Sequence, residues 1–263
     1  TITAVDPELT LHGLRIVFTA SAGGTYYVDA GSFVDGYAGS YQVSVSNSST
    51  GASPVGGQVL VGAAGGDTVQ APDTNDTISG GSGGSNYLRG NGGDDSISGG
   101  ALFDDINGNM GNDTAHGNAG DDWVVGGKDN DVLFGDAGDD IVLGNLGADT
   151  LDGGDGADVV RGGQGDDVLT GGAGNDFISG DRGNDTESGG AGADIFHSSQ
   201  DAGIDRVLDF SLAGGDRIQL DPGTTFTVSQ AGADTIIDMG HGNEMILVGV
   251  QMSTFTPSTI FEA

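Results

Sequence analysis

The chain has 263 residues, 39 Asp and Glu against seven Lys and Arg, a formal net charge of −32, 53 glycines and no cysteine. A surface this acidic repels nucleic-acid phosphates and anionic lipid heads, no apolar run approaches the ~20 residues of a membrane span, and no disulfide can staple the fold. Leu, Ile, Val and Phe supply only 60 residues, so an ordinary compact core is excluded unless something neutralises the aspartates.

The acids are biased. Only four are Glu (Glu8, Glu187, Glu244 and Glu262), leaving 35 Asp. A short carboxylate beside glycine suits turns and hard-cation sites.

Residues 1–52 alternate apolar, aromatic and polar residues and are predicted to be β-rich. The GTYYV and GSYQVSV runs resemble the last strands of the bacterial pre-peptidase C-terminal domain, which implies a partial β-sandwich. An N-terminal β cap is the plainer reading.

Residues 53–197 carry a nine-residue period. From 90 to 197 it runs through twelve blocks without a slip, from GNGGDDSIS to GGAGADIFH. Position 1 is always Gly. Position 6 is always Asp: Asp95, Asp104, Asp113, Asp122, Asp131, Asp140, Asp149, Asp158, Asp167, Asp176, Asp185 and Asp194. Position 8 is apolar in all blocks but one, where it is Glu187. Residues 53–89 keep a degenerate version, with Asp67 and Asp76 at position 6 and a ten-residue block at 80–89.

The glycines permit tight turns, and positions 7 to 9 read as a very short strand with position 8 inward. Such a strand cannot bury its face alone and must stack. These blocks match GGxGxDxUx and resemble the repeat-in-toxin (RTX), or haemolysin-type, calcium-binding nonapeptide. The resemblance implies an all-β fold, a parallel β-roll (a calcium-stacked solenoid) with β-rich N- and C-terminal caps. It implies two blocks per turn, so that Asp95 lies over Asp113 and Asp104 over Asp122. Twelve loops paired in this way imply about ten Ca²⁺ ions. All fourteen aspartates named above are the expected metal ligands. Two blocks depart from the pattern at position 4, with Leu102 and Asp129 in place of glycine.

Residues 198–263 lose the glycine period. DRVLDFSLAGGDRIQL at 205–220 resembles the segment that follows the repeats in RTX proteins exported by type I secretion. Strands are predicted at Thr225–Ser229, Thr235–Met239 and Glu244–Val248. The resemblance implies a C-terminal export signal, and the segment also reads as a cap on the open end of the solenoid. Glu187 is predicted to face outward or reach an ion, with the coil splaying over residues 183–190.

The histidines His12, His116, His197 and His241 form no HExxH zinc motif. GGSGG at 80–84 matches G-x-S-x-G only formally, because it sits in a repeat and not in a strand–turn–helix. No catalytic residue is identified, and a catalytic domain would lie outside this chain. Trp123 at position 7 is predicted to point outward. The resulting expectation is a secreted, extracellular or cell-surface calcium-binding module that folds on Ca²⁺ binding after type I export. Its partners are calcium ions and the secretion machinery, with no nucleic acid and no membrane span. Alternatives are a self-assembling surface-layer, adhesin or filament subunit, and the C-terminal accessory module of a secreted hydrolase.

Overall fold

The computed structural model describes residues 57–62, 65–255 and 259–262, with the backbone alone of 41–44. The partial β-sandwich expected within residues 1–52 lies outside the described residues, apart from the strand Tyr41–Ser44.

The described chain is a parallel β-roll. Successive short strands alternate between two sheets, one of eleven strands and one of twelve. Within a sheet each regular strand pairs with strands 18 residues away on either side. Leu133 stands opposite Ala115 on one side and Leu151 on the other. Two nine-residue blocks therefore make one turn, as the resemblance implied. Six-residue strands such as Val132–Ala137 bury positions 8 and 1 and turn position 7 outward. Trp123 faces outward and is half exposed.

The core is two facing ladders. One runs Val69, Leu88, Ile106, Val124, Val142, Val160, Ile178, Phe196 and Ile218; the other runs Leu60, Ile78, Ile97, Ala115, Leu133, Leu151 and Leu169 and reaches Val207 through Glu187. Each rung gains about 25 cal/mol per Å² of apolar area removed from water.

Beyond the glycine repeat the stacking continues. Ile204–Val207 adds to one sheet and Arg217–Leu220 to the other, both in parallel. Ile260–Glu262 then pairs with Arg217–Leu220. The strands Thr227–Ala231, Asp234–Gly240 and Asn243–Leu247 form an antiparallel meander at the end of the other sheet. Phe210 joins the cap to the roll, with ring centroids 5.9 Å from Phe196 and 6.3 Å from Phe255. Among the described residues no helix is long and apolar enough to cross a membrane.

The splay expected at residues 183–190 is absent. Thr186–Ala191 is a regular strand, and Glu187 sits fully buried in the ladder opposite Leu169. The parallel strands after it hold the coil closed.

Candidate metal centre

Between one six-residue strand and the next lie positions 4 to 6, as at 138–140 between Val132–Ala137 and Ile141–Leu146. In most blocks positions 2 and 4 take positive φ, as at Asn109 (77°) and Gly111 (114°), which restricts them there to Gly, Asn or Asp. Asp129 meets the demand at position 4 with φ 74°. Leu102 does not adopt it, and its loop takes another path.

The loop ends on the position-6 aspartate, which folds inward and is buried in every block. Its Oδ1 accepts the backbone N–H of the aspartate one turn earlier. Asp95 donates to Asp113 at 2.8 Å, Asp113 to Asp131 at 2.8 Å and Asp140 to Asp158 at 2.8 Å. The result is two rows of carboxylates, one along each edge of the roll.

The second oxygen is the informative one. In Asp95, Asp113, Asp122, Asp131, Asp140, Asp149, Asp158, Asp167, Asp176, Asp185 and Asp194 the buried Oδ2 has no hydrogen-bond partner. Leaving a buried charged oxygen unpaired costs several kcal/mol. These oxygens face the position-1 glycine of their own block and the position-1 carbonyl one turn on. A Cβ added to Gly153 would stand 2.5 Å from both Asp158 Oδ2 and the Gly171 carbonyl oxygen. Gly135 has the same surroundings, with Asp140 Oδ2 and the Gly153 carbonyl each at 2.5 Å. Oxygens converging on one small space suit a hard cation. Among the described residues no three acidic or histidine side chains come together as a ready-made site. A cation there would therefore rely on loop carbonyls as well.

Burial raises these carboxyls far above the usual range near 4. Asp95, Asp122, Asp131, Asp158 and Asp167 are pushed up to about 7, and Asp113, Asp140 and Asp176 to about 6. Desolvation is the main cause, and neighbouring aspartates add to it in most.

The remaining expected ligands differ. Asp104 Oδ2 accepts the N–H of Gly100 at 2.5 Å, because the Leu102 loop closes over it. Asp76 Oδ2 accepts the Thr74 hydroxyl at 3.2 Å. Asp67 is buried and donates its N–H to Asn86 Oδ1 at 3.0 Å. Position-5 acids face outward. Asp121 accepts the N–H of Asp139 at 3.0 Å, and Asp139 accepts that of Ala157 at 2.9 Å.

Three members of the rows were not expected. Asn86 fills the row between Asp67 and Asp104, and its Nδ2 donates to Asp104 Oδ1 at 2.7 Å. Asp205 and Asp216 extend the two rows by one turn each, accepting the N–H of Asp185 and of Asp194. Their second oxygens are occupied, Asp205 by the Ser198 hydroxyl at 3.2 Å and Asp216 by the N–H of Ser211 at 2.7 Å. The sequence signal was present: DRV at 205–207 and DRI at 216–218 repeat positions 6 to 8.

A family model described as the RTX calcium-binding nonapeptide repeat matches the chain in four copies, at residues 56–84, 81–115, 116–151 and 152–187. Among solved structures, the extracellular lipase LipA from Serratia marcescens matches at 18% identity with a TM-score of 0.35, over 75% of this chain and 40% of the lipase. The AlgE6R2 subunit of the mannuronan C5-epimerase from Azotobacter vinelandii matches at 24% identity with a TM-score of 0.30, over 53% of this chain and 91% of that one. The AlgE6R3 subunit of the same enzyme matches at 27% identity and 0.26, over 51% and 78%. The chain thus spans well under half the length of the lipase. No curated protein matches it.

Proposed function

The chain belongs to the RTX calcium-binding nonapeptide-repeat family, and from that premise we propose an extracellular module that folds on binding Ca²⁺ after type I secretion. The observation that carries the reading is the set of eleven buried carboxylates, each with one oxygen lacking a partner. Bound Ca²⁺ supplies the positive charge that those oxygens need.

Asp95, Asp113, Asp131, Asp149, Asp167 and Asp185 would hold ions along one edge, and Asp122, Asp140, Asp158, Asp176 and Asp194 along the other, with position-1 carbonyls completing each site. Consecutive members of these rows enclose five gaps and four, about nine complete sites. Asp104, Asp76 and Asp67 fall at less complete positions.

Without cations the aspartates along each row repel one another and the thin ladder cannot offset chain entropy. A chain in that condition stays extended and suits export. Outside the cell, calcium supplies the missing folding free energy. The C-terminal segment, which resembles that of type I secreted proteins, is the expected contact for the secretion machinery. Circular dichroism tests the central step. With a chelator the chain should be largely disordered, and millimolar Ca²⁺ should convert it to β structure. Mg²⁺ should substitute poorly, since it demands tight octahedral geometry. Equal β content and equal melting points with and without chelator would sink the reading.

A second reading, a self-assembling surface-layer, adhesin or filament subunit, draws on the outer face of one sheet. Tyr87, Trp123, Ile141, Val159, Phe177 and Ile195 share one outward row there, with Asp105 between the first two. Tyr87 and Trp123 are 49% and 50% exposed. The matching row of the other sheet carries Thr77, Ser96, Thr114, Thr150 and Thr186, broken by Val132 and Val168. Ordered arrays in calcium under electron microscopy, lost on replacing Trp123 with Thr, would favour this reading.

A further inference from the structure

Glu187 occupies a place that the repeat reserves for an apolar side chain. It is fully buried, between Leu169 and Val207 in register. Its Oε1 accepts the N–H of Gly180 at 2.8 Å, and its Oε2 has no hydrogen-bond partner. Gly180 is also the residue against which Asp185 folds, since a Cβ there would collide with Asp185 Oδ2. That oxygen lacks a partner too. Two unpartnered oxygens therefore belong to carboxylates seated on the same glycine.

The loop one turn on is unlike the others. Residues 198–205 replace the six-residue GGxGxD run with eight residues, SSQDAGID. Ser198 stands where the repeat has its first glycine, and its hydroxyl donates to Asp205 Oδ2. Asp205 Oδ1 in turn accepts the N–H of Asp185 at 3.3 Å. Among the described residues none of the ion pairs involves Asp185, Glu187 or Asp205.

We infer that Glu187 is a calcium ligand. With Asp185, whose unpartnered oxygen sits against the same glycine, and with backbone carbonyls of the turn, it forms a terminal cation position that the nonapeptide pattern does not contain. The carboxylate from inside the roll takes the place of the GGxGxD loop that the next turn lacks. A leucine would have filled the rung equally well as packing. A buried glutamate surrounded by acids is held in place only by a proton or a cation, and the adjacent unpartnered Asp185 oxygen favours the cation. The inference rests on the calcium reading of the roll.

The test counts ions. Equilibrium dialysis against Ca²⁺ should be run on the full chain and on Glu187→Gln and Glu187→Leu, with circular dichroism on the same samples. Both variants should bind one ion fewer than the parent and keep its β content in saturating calcium. An unchanged ion count in Glu187→Gln would overturn the inference and leave Glu187 as a neutral hydrogen-bonding acid. A higher melting point in Glu187→Leu with no ion lost would do the same. Loss of β structure in both variants at saturating calcium would also overturn it, because a terminal ion is not needed to stack the turns before it. A parent chain that binds no calcium would instead defeat the reading of the whole roll.

Discussion

Glycine serves two different purposes in this roll. At position 4 and usually at position 2 it supplies a positive φ, which Asn and Asp also tolerate. At position 1 it supplies room: Gly153 has no positive φ, yet a Cβ there would enter the space shared by Asp158 Oδ2 and the Gly171 carbonyl. The two kinds of substitution should therefore separate. Gly153→Ala should raise the calcium concentration needed for folding. Gly172→Ala, at φ 117° and against the Gly154 carbonyl, should lower the calcium-saturated melting point by strain on the order of 1–3 kcal/mol. Calcium titration and thermal melts on the two variants check this, and indistinguishable behaviour would contradict it.

Among the elements, two loops that break the glycine pattern in the same place end differently. In 126–134 Asp129 adopts the left-handed conformation, and Asp131 keeps its free Oδ2. In 99–107 Leu102 cannot, because its Cβ would meet the backbone at positive φ. The chain instead brings the Gly100 N–H onto Asp104 Oδ2. Leu102→Gly should restore the regular loop and free that oxygen. The expected outcome is one more bound calcium than in the parent, read by equilibrium dialysis. An unchanged ion count would mean that the Gly100 contact does not depend on Leu102.

For the whole molecule the deciding quantity is the charge of the two rows. The buried carboxyls hold their protons up to about pH 6–7 in the folded chain, against an ordinary value near 4. Between those limits the folded state binds more protons than the unfolded one. The stability of the calcium-free roll therefore falls as pH rises through this window, and the penalty is absent below it. Acid should thus replace part of the work of calcium. With chelator present, circular dichroism should show more β structure at about pH 4.5 than at pH 7.5. No gain on acidification would mean that the rows are not what keeps the calcium-free chain unfolded.

What the sequence determined by itself is everything that repeats. Gly at position 1, Asp at position 6 and an apolar residue at position 8 are local signals, and twelve copies leave no doubt about the period. The stacked parallel architecture, the inward ladder and the aspartate rows follow from it. What the tertiary structure decided lies one turn away, 18 to 22 residues along the chain. The path of each loop matters as well: Asp104 and Asp131 both stand in a block that breaks the pattern at position 4, yet only Asp104 has its second oxygen taken, by Gly100 of its own loop. Asp205 and Asp216 join the rows although longer loops put them out of the nine-residue phase. Glu187 looked like the place where the coil opens, because a lone carboxylate on the core face is costly. The roll instead closes over it, since parallel strands from the C-terminal segment continue both sheets and bury whatever the ladder presents to them.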